Sequence, residues 1–178
     1  LPFNHYCRKM LGYLFAIRNG ADIIIDTDDD NLPKTGWKFP KINGDFNVYS
    51  DDPGFINIYS YYTNQNIWPR GIPLDQIHRG VNELKITKKY VKIGVWQALA
   101  DEDPDVDAIY RLTTNNAQCV FNDNEPIVLE KNSVCPFNSQ NTLIRKELFP
   151  LLYLPTYVTF RFTDILRGIV AQPIMWEF

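Results

Sequence analysis

Carboxylates crowd one short stretch of this 178-residue chain. Ile23-Ile-Ile-Asp-Thr-Asp-Asp-Asp30 sets Asp26, Asp28, Asp29 and Asp30 within five positions. Like charges this close repel, so the segment either holds a cation or stands fully solvated. Oxygen-only ligands suit a hard divalent ion, Mg²⁺ or Mn²⁺, which takes one or two carboxylates and completes its shell with water and substrate phosphates. Such an ion equips a site to handle a nucleoside diphosphate. The three isoleucines ahead of the acids read as a short buried strand, and a surface acid loop seldom follows directly on one. In an extended run Asp28 and Asp30 project to one side, with Asp29 opposed. An EF-hand is a poor competitor, because no Gly stands at the sixth position of the acidic loop and no Glu at the twelfth.

Other residues able to do chemistry are scattered. Arg70 lies between Pro69 and Gly71 in Trp68-Pro-Arg-Gly-Ile-Pro73, a loop fixed by its prolines. Arg8 falls on a helix, either as a surface cation or as a group that grips paired oxygens. Asp164 falls at the start of a helix, where the dipole favours a carboxylate. Asn141 reads equally as a ligand group or as a helix cap. His5 and His78 read as ordinary histidines, and Asp101–Asp107 as a solvated turn. Tyr59, Tyr61, Tyr62 and Trp68 either stack on a sugar or belong to the core.

The elements that must position these groups follow from patterning. Asn4 caps a predicted helix running to about Asn19, with Gly20 just past its end. Its apolar stripe is Tyr6, Met10, Leu14 and Ile17, widened by Cys7, Leu11 and Phe15. Residues 21–25 form the adjoining strand, and the acids lie beyond its carboxyl end, where α/β sheets bind ligands. Further strands are expected at 46–49, 55–61, 108–112 and 127–129, with helices at 141–152 and 163–172. Residues 91–99 fit either class. Pro150, Pro155 and Pro173 mark breaks.

Composition sets the bounds. The chain is 45% hydrophobic and 22% charged, which suffices for one domain with a sizeable core. A net charge of −3 gives no basic field for nucleic acid. No apolar run is long enough to span a membrane. Cys7, Cys119 and Cys135 are odd in number, so a reducing compartment and one bridge plus a free thiol both fit.

Several segments together resemble a known family. Cys7-Arg8 with Gly12-Tyr13-Leu14, Asp28-Asp29-Asp30, Arg70-Gly71-Ile72-Pro73-Leu74, Arg79-Gly80, Asn141-Thr-Leu with Arg145-Lys-Glu-Leu, and Asp164-Ile-Leu-Arg-Gly168 run in one order. They are similar to the motifs of the reversibly glycosylated polypeptides, plant nucleotide-sugar mutases of glycosyltransferase A fold. They resemble more closely the related family that includes the plant Golgi STELLO proteins. Arg79 lies further from Arg70 than in the mutases, the Glu of their Arg-Glu-Gly is missing, and Leu166 replaces their Trp. These departures bear on the mutase reaction more than on a nucleotide-sugar site.

The resemblance implies an α/β fold, a glycosyltransferase A-like mixed sheet flanked by helices, as a single domain over 1–178. The fold's first βαβ unit should precede the acidic strand, and only one helix does so here, which suggests a fragment of a longer chain or an abbreviated fold. It implies a metal-dependent glycosyltransferase, with a nucleotide-sugar mutase or a non-catalytic scaffold as alternatives. Mn²⁺ or Mg²⁺ would sit on Asp28 and Asp30, and Arg8, Asp26, Asp28, Arg79 and Asn141 would contact the donor. Asp164 and Arg70 would be catalytic, Asp164 as the base and therefore near Asp28–Asp30 with a cation or arginine between. Partners would be a nucleotide-sugar donor and a glycan or protein acceptor, and the compartment the Golgi lumen.

Overall fold

The computed structural model describes residues 3, 5–50, 53–114 and 118–178. In chain order the elements begin with helix α1 (Cys7–Arg18), strands β1 (Ile23–Thr27), β2 (Asn43–Tyr49) and β3 (Gly54–Phe55), and the short helix α2 (Tyr59–Tyr62). After them come β4 (Ile86–Lys92), β5 (Val95–Gln97), helix α3 (Ala108–Thr113), β6 (Ile127–Leu129), β7 (Ser133–Val134), β8 (Asn141–Arg145) and helix α4 (Thr163–Met175). A 3₁₀ turn at Glu83–Lys85 and a longer 3₁₀ segment at Lys146–Leu152 join them. The architecture is mixed α/β, and the chain forms two compact units, each built from discontinuous segments.

The first unit gathers residues 1–39, 94–98 and 137–178. Its sheet runs β1–β8–β5, antiparallel throughout, with β8 in the middle. Ile24 pairs with Ile144, Asp26 with Thr142, and Trp96 with Leu143. Asn141–Arg145, expected to open a helix, is this central strand. The alternation of Thr142 and Ile144 suits a strand, and burial between two neighbours outweighs the helix propensity of the Arg-Lys-Glu-Leu that follows. Tyr13, Ile24, Ile144, Leu148, Leu152 and Leu154 form the core.

Helix α1 ends as its sequence dictates. Asn19 is the C-cap, and Gly20 takes φ +79°, the left-handed conformation that a glycine adopts without strain. The proposed Asn4 cap lies outside the described residues. The buried face differs from the expected stripe. Tyr13 is buried with Tyr6, Met10 and Ala16 packed beside it, whereas Leu14 is 61% exposed and Phe15 72%. The apolar count favoured the Leu14 side, but the helix turns towards the strand the face that carries Lys9 and Tyr13, whose polar ends meet Asp26.

The second unit comprises residues 40–93 and 99–136. Strand β2 lies between β4, antiparallel, and β6, parallel, and β3 pairs with β7 in a separate short ladder. Residues 108–112, expected as a strand, form α3, because the Asp107 carboxylate accepts from the Ile109 amide 2.8 Å away and caps it. Likewise Tyr59–Tyr62 turns as a helix rather than continuing a strand. Residues 91–99 resolve into the end of β4 and into β5. Tyr59 and Trp68 are buried, so these aromatics belong to the core.

Candidate functional site

Strand β1 carries its acids further in than expected, since it extends to Thr27 and so contains Asp26. Alternate side chains turn inward, and Ile24 and Asp26 both face α1, with Asp26 only 5% exposed. A carboxylate buried there must be compensated. The Tyr13 phenol donates a short hydrogen bond to Asp26 Oδ2, and Lys9 Nζ lies 2.9 Å from Oδ1. Lys9 and Tyr13 are four residues apart and therefore share a helix face. Burial, and then the charge of Asp26, push the Tyr13 phenol well above its ordinary range, so it remains a donor.

The Lys9 ammonium is shared. It also lies 3.2 Å from Asp28 Oδ1 and 3.0 Å from the Ser139 carbonyl oxygen. Three oxygens from two distant segments thus converge on one cationic nitrogen at the carboxyl end of β1. Burial raises the Asp28 carboxyl above its usual value, and Lys9 opposes that shift. Asp29 and Asp30 stand exposed beyond it. Among the described residues no three His, Cys, Asp or Glu side chains surround a single metal position. The donor chemistry nevertheless fits a hard ion, because all three groups on the ammonium are oxygens and such an ion needs only one or two carboxylates from protein. A shallow cleft between α1 and β1 passes Lys9, Gly12, Tyr13 and Asp26.

Asp164 is 3% exposed in the first turn of α4, and its Oδ2 accepts from the Ser139 amide at 3.3 Å. Ser139 therefore touches Asp164 through its N–H and Lys9 through its carbonyl. Arg167, one turn further along α4, donates through Nη2 to the Asn138 carbonyl at 2.9 Å and to Ser139 Oγ at 3.0 Å. Its guanidinium also stacks over the Phe137 ring at 5.1 Å. Two cations, Lys9 and Arg167, meet on the residue that links the two acidic groups. Gln140 closes the connection, its carbonyl accepting from the Asp28 amide at 2.9 Å and from the Asn31 side chain at 2.5 Å.

The remaining candidates sit differently. Arg8 is exposed on α1 with its guanidinium 5.2 Å from the Phe3 ring centre, and its neighbour Lys9 is the cation that reaches the acidic strand. Asn141 begins β8 opposite Thr27. Its carbonyl accepts from the Ala98 amide and the Gln97 side chain. Arg70 and Arg79 belong to the second unit. Both oxygens of Asp105 engage Arg70, Nε to Oδ1 at 2.8 Å and Nη2 to Oδ2 at 2.7 Å. Arg79 Nη1 donates to the Pro53 carbonyl at 3.0 Å, next to Gly54, where any side chain would collide with it.

The stretch 101–107 is therefore not a solvated turn. Asp105 holds Arg70, Asp107 caps α3, and Asp101 Oδ1 accepts from the Phe121 amide at 3.0 Å. The three cysteines are unpaired with one another, and burial pushes the Cys135 thiol up to about 12, which removes it as a nucleophile near neutral pH. Sequence reasoning missed Lys9, Tyr13, Ser139 and Arg167. The signal for Lys9 and Tyr13 was their four-residue spacing beside a strand carrying a carboxylate that burial would leave unpaired. For Arg167 it was the three-residue step from Asp164, which sets both on one face of α4.

No family model matches the chain. It is homologous over 99% of its length to two Arabidopsis thaliana proteins, Probable glycosyltransferase STELLO1 at 30% identity and Probable glycosyltransferase STELLO2 at 29%. The chain spans about a quarter of the length of these curated relatives, 25% and 26% respectively. These matches agree with the family resemblance carried by the sequence motifs.

Proposed function

We propose that this chain is the donor-site region of a metal-dependent glycosyltransferase of glycosyltransferase A-like fold, moving a sugar from a nucleoside diphosphate to an acceptor hydroxyl. One observation carries the reading: Asp26, Asp28 and the Ser139 carbonyl converge on a single cationic nitrogen at the carboxyl end of β1. Compensating the buried Asp26 accounts for Lys9 beside it, and the further convergence of Asp28 and the Ser139 carbonyl is what supports a cation-binding strand end. The relatives' names, both probable glycosyltransferases, point the same way.

Asp28 and Asp30 would hold Mn²⁺ or Mg²⁺, which when bound supplies positive charge against the leaving diphosphate. Lys9 keeps Asp26 and Asp28 compensated and would yield Asp28 to the incoming cation. Tyr13 fixes the buried Asp26 so that the strand end keeps its direction. Asp164 is the carboxylate that the resemblance offers as the base. At 3% exposure it meets an acceptor proton only if the first turn of α4 opens. Arg70 would grip a diphosphate only by exchanging Asp105 for it.

Lys9 also favours a second reading. An acidic cluster already neutralised by an internal ammonium needs no ion, as expected of a non-catalytic scaffold that keeps the fold. The test is to incubate full-length protein with a panel of nucleotide sugars and Mn²⁺ and to identify the products by mass spectrometry. Sugar on a new acceptor supports the transferase, a ring-isomerised donor supports a mutase, and neither product supports the scaffold.

A further inference from the structure

The first turn of α4 and the end of β1 share no direct contact in the bonding described, yet both hold the connector Phe137–Gln140. Asp164 takes the amide of Ser139, and Arg167 takes the carbonyl of Asn138 and the hydroxyl of Ser139. Gly168 lies so close to the backbone of Phe137 that a side chain there would collide with its carbonyl oxygen. From its other side the connector presents the Ser139 carbonyl to Lys9 and the Gln140 carbonyl to the Asp28 amide. The connector is thus gripped by α4 and in turn grips the acidic strand end.

Arg167 is an expensive way to hold a loop. It is 4% exposed, and its Nε and Nη1 make no hydrogen bond to the described residues. A buried guanidinium with unused donors costs stability that an apolar side chain of similar volume would not. A cost of that kind points to a role beyond packing. Asp164, equally buried, is held towards the connector rather than towards the cleft between α1 and β1, whose lining does not include it.

We propose that Asp164 and Arg167 are positioning residues that act through Phe137–Gln140 to fix where Asp28 stands, and hence how well the site takes its metal and diphosphate. This rests on the function proposed above for the end of β1. It assigns Asp164 a different task from proton removal, and the two tasks separate experimentally. A base is felt in turnover at unchanged donor affinity, whereas a positioning residue is felt in affinity.

The experiment has two arms, run on the full-length protein. In the first, calorimetry measures Mn²⁺-dependent binding of nucleoside diphosphates to wild type, Asp164→Asn, Arg167→Met and the gentler Arg167→Lys. Measurements are made well below each variant's melting temperature. We expect about tenfold weaker binding for Asp164→Asn and Arg167→Met, with partial recovery in Arg167→Lys. Unchanged affinity with reduced turnover would overturn the proposal and return Asp164 to the role of base.

The second arm does not depend on ligand. Amide hydrogen exchange should show the Asp28 N–H of Arg167→Met, or of Arg167→Lys if the first does not fold, exchanging at least tenfold faster than in wild type. Leu143 and Ile144 in the central strand should keep their protection. An Asp28 amide whose exchange is untouched would refute the clamp. If wild type binds no nucleotide, the function proposed above fails while this second arm still decides the clamp.

Discussion

At the scale of single residues, the acidic strand end is a balance between burial and compensation. Burial raises the Asp28 carboxyl above its ordinary value of 3.8, despite Lys9 beside it. The native state therefore binds that proton more tightly than the unfolded chain, and ionising Asp28 lowers native stability as pH rises past the ordinary carboxylate range. Asp28→Asn should remove this loss, leaving the metal-free protein as stable as wild type or more so at pH 7. Urea unfolding from pH 3 to pH 7 checks this, and a variant weaker than wild type at pH 7 contradicts it. The same substitution, and Asp30→Asn, should abolish divalent-dependent nucleotide binding. Lys9→Met is the opposite case. It leaves the buried Asp26 with Tyr13 as its remaining partner among the bonds described here, at a cost on the order of 2–3 kcal/mol. Its melting temperature should fall without metal and rise more steeply with Mn²⁺ than that of wild type. An equal rise in both proteins would show that Lys9 and the ion do not share a position.

At the scale of elements, legibility followed the strength of local patterning. Ile23-Ile-Ile announced β1, Gly20 closed α1, and α4 began at Thr163 as its sequence pattern predicts. Strand β8 was hidden because Asn141-Thr-Leu-Ile-Arg is short and its fate depends on two neighbours far away in sequence. Helix α3 was hidden because the meaning of Asp107 lies in one capping hydrogen bond. The acids around it looked like solvated charge, yet Asp105 and Arg70 form a two-pronged pair with side chains only 14% and 20% exposed. Lysine offers no planar fork, so Arg70→Lys should cost roughly 1–2 kcal/mol of stability. Thermal unfolding measures that cost, and a Tm equal to wild type would mean that the pair contributes nothing. Donor affinity measured on the same variant reports separately on the binding role that the sequence motif suggests.

At the scale of the whole molecule, the sequence named the acidic strand and Asp164 but not what joins them. The joining residues Lys9, Ser139 and Arg167 come from α1, the connector before β8, and α4, and local periodicity carries no record of contacts that long-range folding creates. The division into two compact units was hard to see, since two of its four chain boundaries, 93–94 and 98–99, fall in a stretch with a single glycine and no proline, while Pro40 and Pro136 at the other two resemble the prolines of ordinary loops. The central claim is that the convergence of oxygens at the end of β1 marks a divalent-cation site for a nucleoside diphosphate. The direct test is crystallography of the full-length protein with Mn²⁺ and a nucleoside diphosphate, using anomalous scattering to place the metal. The account predicts one strong anomalous peak within about 2.5 Å of an Asp28 or Asp30 carboxylate oxygen, with the Lys9 ammonium drawn away from Asp28. An unaltered Lys9 bridge to Asp26 and Asp28, with no metal at the strand end at saturating Mn²⁺ and nucleotide, would contradict it.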